Sequence, residues 1–380
     1  MISRHNLFGY LHPLSGSSIF HLLNLLLKSG GVARQHLAKT IVISAMSCLT
    51  TPLIFLETKK FEREISRVQL ESPPIFIIGH WRSGTTHLHN LMSRDPQFGY
   101  LNTLQAFRAS EIYLIAQKAI ERITIKQFPM ERPMDKVKIE ASSPQEEEFA
   151  LANSSAYSFY HGFYFPQKMR QLFEQFVLLD RQDENIQTQW KKLYLRQLKK
   201  MAFSCKNKRL LIKNPVNTGR IRVLLELFPE AKFIHIYRHP YSIYVSTKKM
   251  YQKLLSTWGL QSISSEAIEE NILWFYQAMM QEYLTTKTAI PAKNLVEIKY
   301  EDFVGNEVKY LAEIYQQFEL PNLTIALKEF ELYLQSQSKY QRNNYQLNEK
   351  AIAKIERHWQ FAFQEWQYST SQSTIVTSNH

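Results

Sequence analysis

Pro74-Ile75-Phe76-Ile77-Ile78-Gly79-His80-Trp81-Arg82-Ser83-Gly84-Thr85-Thr86 is the stretch on which the architecture of this chain turns. It opens on a short unbroken apolar run, the pattern of a strand buried on both faces of a sheet. The run ends in a glycine loop that feeds a helix predicted over 85–93. Strand, glycine loop and helix together aim several backbone N–H groups and a helix N-terminus at one anion. The two glycines have GxxxxG spacing, but Thr85 stands where a nucleotide hydrolase carries lysine, and the cation has moved inside the loop as Arg82. A bare GxxxxG is a weak signal. With two threonines and an internal arginine, His80, Trp81, Arg82, Ser83, Gly84, Thr85 and Thr86 read as an anion cradle.

Similar apolar runs recur at 209–212, 232–237 and 295–298, with helical patterns over 110–126, 185–204, 218–228, 241–255 and 266–289 and another beginning at Pro144. Short buried strands alternating with helices predict an α/β fold, a doubly wound and mainly parallel sheet with helices on both faces. Residues 18–66 read as two helices broken at Ser29-Gly30-Gly31, a helical cap on that domain. The expected organisation is an N-terminal helical region over 1–72, a main domain over 73–365 and a tail over 366–380.

Composition narrows the partners. In 380 residues, 46 basic side chains face 34 acidic ones, and hydrophobic residues make up 44%, which excludes a disordered, collagen-like or disulfide-framework protein. The basic excess points to an anionic partner. It is concentrated: residues 191–253 hold 16 basic and 2 acidic residues. Cys48 and Cys205 lie far apart without metal-ligand spacing, so a reducing, cytoplasmic compartment and no metal are expected. The N-terminus lacks the pattern of a signal peptide. The most apolar run, 41–56, is shorter than the roughly 20 residues of a spanning helix, which leaves peripheral membrane contact through the N-terminal helices as the membrane option.

A second cation site follows the run Lys232-Phe233-Ile234-His235-Ile236-Tyr237, which ends in Arg238-His239-Pro240 before a helix that carries Ser246. A magnesium-dependent nucleotide hydrolase usually has an aspartate at this strand end. An arginine there and a serine two helical turns on can instead clamp a phosphate.

These segments resemble the sulfotransferases that use 3′-phosphoadenosine 5′-phosphosulfate (PAPS). The 74–92 segment is similar to the family's 5′-phosphosulfate loop, with Arg82 where many members have lysine, and Arg238 and Ser246 match the arginine and serine of its 3′-phosphate motif. Ile298-Lys299-Tyr300-Glu301-Asp302 resembles a late strand end, which implies that Tyr300 lies near the adenine. Arg342 is implied as a further ligand of the 3′-phosphate. The resemblance covers about 73–365 and implies PAPS as co-substrate in a P-loop-like fold.

One part of that template is missing. Cytosolic members place a histidine two residues after a strand-end lysine, whereas this chain reads Lys213-Asn214-Pro215. Lys213 can still reach the phosphosulfate, but the base comes from elsewhere. Glu146, Glu147 and Glu148, after Pro144, resemble an acidic segment of bacterial members, although proline followed by acids is also ordinary helix-start chemistry. His161 is the rival base. The apolar N-terminal helices and the aromatic run over 157–165 lean toward a lipophilic small-molecule or lipid acceptor, sulfated on a hydroxyl or amine. Two other readings stay open, a P-loop kinase or nucleotide hydrolase and a non-catalytic basic membrane-binding protein. Nucleic-acid binding is disfavoured, because the basic residues lie on strand ends and on helices with apolar partners rather than among exposed stacking aromatics.

Overall fold

The central sheet has five short strands, β1 (Ile75–Ile78), β2 (Phe98–Gly99), β3 (Arg209–Lys213), β4 (Lys232–Tyr237) and β5 (Leu295–Lys299). They lie in the order β2–β3–β1–β4–β5, and every pairing is parallel. The computed structural model describes residues 12–107, 111–124, 130–131, 138–336, 343–370 and 375–378. Successive strand residues feed two different cores. Phe76, Ile78, Ile212 and Phe233 pack into one, and Ile75, Ile77, Leu211, Ile234 and Ile236 into the other, so both faces are covered as the unbroken apolar runs require.

Around the sheet lie α1 (Ile19–Lys28), α2 (Leu37–Arg67), α3 (Thr85–Met92), α4 (Glu148–Ser154), α5 (Glu184–Ser204), α6 (Pro240–Trp258), α7 (Ser265–Thr286) and α8 (Glu349–Glu365). Their starts follow local chemistry. The side chains of Asp183 and Ser264 accept N–H bonds at the starts of α5 and α7, and Pro240 takes the first position of α6. The N-terminal helices are a cap in the physical sense, since Leu14, Leu22, Leu25 and Ile43 join the same core as α5, α6 and α7.

Two local features differ from the sequence reading. The helix expected from Pro144 begins only at Glu148. Backbone bonds hold the preceding residues against 101–103: Gln145 N–H donates to the Leu101 carbonyl at 2.8 Å, and Thr103 N–H to the Ser143 carbonyl at 2.9 Å. The edge strand β2 has only two residues, too few to show a period in the sequence.

Candidate active site

Register sets the site. Ile77 of β1 pairs with Lys213 on one side and with Ile234 on the other, so the carboxyl ends of β1, β3 and β4 open on one edge of the sheet. The loop after β1 has three residues in the left-handed region, Gly79 (φ +137°), Arg82 (φ +73°) and Gly84 (φ +106°). A Cβ on Gly79 would lie 2.3 Å from the Ile236 carbonyl oxygen, and one on Gly84 would lie 2.3 Å from the Tyr300 ring. Glycine is thus required at both positions by space as well as by φ. Gly79 N–H donates to Thr218 Oγ1 at 2.8 Å and anchors the turn. No side chain caps α3, so none competes for its first N–H groups, and the buried Ser83 Oγ finds no partner among the described residues. A polyoxygen anion is the natural complement of that set.

The second cation motif meets the loop directly. Arg82 Nε donates to Ser246 Oγ at 2.8 Å, and Arg238 Nη1 donates to the Arg82 carbonyl at 3.2 Å. The Arg238 guanidinium stacks 4.3 Å from the centre of the Tyr300 ring. Four residues expected to touch the donor, Arg82, Arg238, Ser246 and Tyr300, therefore share one cluster at the ends of β1, β4 and β5. Arg342 lies outside the described residues.

Lys213, the last residue of β3, joins this cluster to the acidic segment. Its Nζ lies 3.4 Å from Thr86 Oγ1 and pairs with Glu146, which also accepts a hydrogen bond from the Tyr160 hydroxyl. The next two glutamates turn away into a closed network. Glu147 accepts from Tyr194 at 2.8 Å, Asn214 at 2.9 Å and Asn217 at 3.0 Å. Glu148 takes both arms of the buried Arg220 guanidinium at 2.8 and 3.1 Å, with Ser158 at 2.7 Å. Burial pushes the Glu147 carboxyl above its ordinary range. Burial acts the same way on Glu148, but Arg220, Ser158 and Asn214 outweigh it and hold that carboxyl below its ordinary range.

Both histidines named from the sequence are buried. His161 Nε2 donates to the Ala152 carbonyl at 2.8 Å, and burial lowers its pKa to about 3. His80 Nδ1 donates to the Trp81 carbonyl at 2.9 Å, and burial lowers its pKa to about 3 as well. Both rings are neutral at physiological pH. Aromatic rings cluster beside Glu146: Tyr160 packs edge-on against Phe149 and Phe163, and Phe149 against Trp258. Sequence reasoning reached Tyr160 only as part of the aromatic run, not as a partner of Glu146, and missed Tyr194, Asn214, Asn217 and Arg220. The polar spacing 214, 217, 220 was visible, but its targets lie some seventy positions upstream.

Comparison with known proteins agrees with this geometry. A family model described as "Sulfotransferase family" matches residues 73–324. Omega-hydroxy-beta-dihydromenaquinone-9 sulfotransferase Stf3 of Mycobacterium bovis and that of Mycobacterium tuberculosis are each 29% identical to this chain over 329 residues, 86% of this chain and 83% of their own. In fold, sulfotransferase STF9 from Mycobacterium avium matches with a TM-score of 0.67 at 16% identity, over 93% of this chain and 97% of its own. Sulfotransferase STF1 from Mycobacterium tuberculosis H37Rv matches with a TM-score of 0.62 at 19% identity, over 82% of this chain and 85% of its own. With the anion loop, the second cation motif and the strand-end lysine on one edge of a parallel sheet, the chain belongs to the sulfotransferase family.

Proposed function

We propose that the protein transfers the sulfuryl group of PAPS to the hydroxyl of a lipophilic acceptor, with Glu146 as the general base. The observation that carries this reading is the continuous chain Thr86, Lys213, Glu146 and Tyr160, which runs from the donor loop to the aromatic cluster. The loop N–H groups, Ser83, Thr85 and Thr86 hold the 5′-phosphosulfate. Arg238 and Ser246, with Arg342, take the 3′-phosphate, and Tyr300 lies against the adenine.

In the reaction the acceptor oxygen attacks sulfur and gives its proton to the Glu146 carboxylate. The sulfur–oxygen bond to the 5′-phosphate breaks, and its electron pair leaves on the phosphate oxygen, where Lys213 and Arg82 neutralise the charge. Lys213 holds the Glu146 carboxylate in place through their ion pair. Glu147 and Glu148 position this carboxylate by holding the segment that bears it. His161 does not serve as the base in this reading, because its Nε2 is committed to the Ala152 carbonyl.

A lipophilic acceptor fits the rings beside Glu146, and the mycobacterial relatives are named for a menaquinone derivative. The enzyme works in the cytoplasm in peripheral contact with a membrane. The test uses sulfur-35-labelled PAPS and a membrane lipid extract, with label expected in the solvent-extractable fraction. Arg238→Ala should weaken PAPS binding by about 10- to 150-fold, the value of one charge-assisted hydrogen bond, while binding of adenosine 5′-phosphosulfate hardly changes. Equal weakening of both donors would remove Arg238 as the reader of the 3′-phosphate.

A further inference from the structure

The N-terminal helices are built inside out. Between Thr40 and Glu57 every exposed residue of α2 is apolar, the large ones being Ile41, Val42, Leu49, Leu53, Phe55 and Leu56. Three hydroxyls of the same stretch point inward. Ser47 Oγ donates to the Leu14 carbonyl at 3.2 Å, Thr50 Oγ1 donates to the Ser17 carbonyl at 3.1 Å, and Thr51 Oγ1 accepts from Ile19 N–H at 2.9 Å. A helix on a water-facing surface has the opposite polarity. Phe20, Leu23 and Leu27 of α1 extend the apolar face, with Phe20 74% and Leu27 84% exposed. Ten of the twelve large apolar side chains exposed among the described residues belong to α1 and α2, which makes this a patch rather than scatter.

We propose that this face docks in the interfacial layer of an anionic membrane leaflet, with α2 lying in the plane of the bilayer. Charge selects lipid over other occupants. The first 56 residues contain no aspartate or glutamate. The apolar stretch is flanked by exposed Lys28 and Arg34 near one end and by Lys59, Lys60 and Arg63 at the other. A second copy docked on the same face would bring cations against cations, whereas anionic headgroups neutralise both ends.

The helix is long and apolar enough to cross a membrane by length and composition alone, but its fastening excludes crossing. Lys39 Nζ donates to the Thr257 carbonyl at 2.9 Å, the buried Lys200–Glu57 pair lies at 2.6 Å, and Arg196 takes both oxygens of Glu62. These contacts lay α2 along the domain, so only its outer half is available to lipid. The apolar face runs about 23 Å, fifteen residue steps of helix. The hairpin also touches the acceptor side of the enzyme, since His21 Nε2 donates to the Ala152 carbonyl in α4 at 2.9 Å. A lipophilic acceptor can therefore be taken from the leaflet on which the hairpin rests. That last step rests on the function proposed above; the docking does not.

Flotation of the purified full-length protein tests the docking without any turnover. The protein should rise with vesicles of phosphatidylcholine and phosphatidylglycerol and rise less with phosphatidylcholine alone. Leu49→Glu with Phe55→Glu should cut the bound fraction about tenfold, and Lys59→Glu with Lys60→Glu should cut it less and only at low salt. An unchanged melting temperature and unchanged binding of 3′,5′-bisphosphoadenosine establish that each variant is folded. Sedimentation without either kind of vesicle, or a dimer in solution that the Leu49→Glu/Phe55→Glu variant dissociates, would overturn the proposal. Flotation without sulfuryl transfer would leave the docking standing and count against the reaction alone.

Discussion

The glycine loop and the acidic segment face each other across Lys213, yet they hold their shape by different means. The loop is fixed by backbone geometry: three left-handed residues, one anchoring hydroxyl from Thr218, and two glycines hemmed in by the Ile236 carbonyl and the Tyr300 ring. The acidic segment is fixed by side-chain charge, with Glu147 and Glu148 spread over Tyr194, Asn214, Asn217, Arg220 and Ser158. Backbone geometry survives the loss of a neighbouring side chain. A buried charge network does not, because each partner removed leaves another charge unpaired.

The largest effect expected from this contrast is on turnover. Glu146→Gln keeps the shape of the side chain but removes the proposed proton acceptor, and should lower kcat by about 10²- to 10⁴-fold while donor binding persists. Single-turnover transfer of labelled sulfate measures it, and a near wild-type rate would hand the role of base to another group. Next in size is a loss of stability confined to the acidic side. Glu148→Ala strands Arg220 inside the core and should destabilise the fold by about 3–5 kcal/mol in urea titration. A change below about 1 kcal/mol would mean that the network is not what holds the segment.

The smallest effect is on acid stability, and it touches both halves. His80 in the glycine loop and His161 beside the acidic segment have folded pKa values of about 3, below the ordinary 6.5. The unfolded chain takes up their protons first, so the stability they contribute is complete above 6.5 and is lost as the pH falls toward 3. At about pH 5.5 each should have lost about 1.4 kcal/mol. The difference should vanish in a His161→Gln background for that residue alone, and a melting temperature flat from pH 7 to 5 would contradict it.

The two halves were also unequally legible in the sequence. The loop announced itself because its parts are contiguous: strand, glycines, arginine and threonines fall within a dozen residues, and Arg238 and Ser246 sit a fixed two helical turns apart. The three consecutive glutamates gave no sign of their separate fates. What sorts them is the late start of α4 at Glu148, and that start is imposed by backbone bonds to Leu101 and Thr103 rather than by any local preference. The bond of Tyr160 to Glu146 and the role of Arg220 were silent for the same reason, both being ordinary residues until the fold brings the segment to them. The hairpin is a third case. Its apolar character was plain in the sequence, but which side of α2 faces out depends on Ser47, Thr50 and Thr51 finding partners in the 14–19 stretch.

The conformation of Arg82 bears on how the donor arrives. A left-handed arginine between two left-handed glycines, one hemmed in by the Ile236 carbonyl and the other by the Tyr300 ring, has little freedom left to surrender. Under the proposed function, PAPS meets a finished receptacle, and its binding is not taxed by the ordering of a floppy loop. Encounter is governed by how quickly a highly charged nucleotide diffuses to a positive cleft rather than by a slow rearrangement after contact.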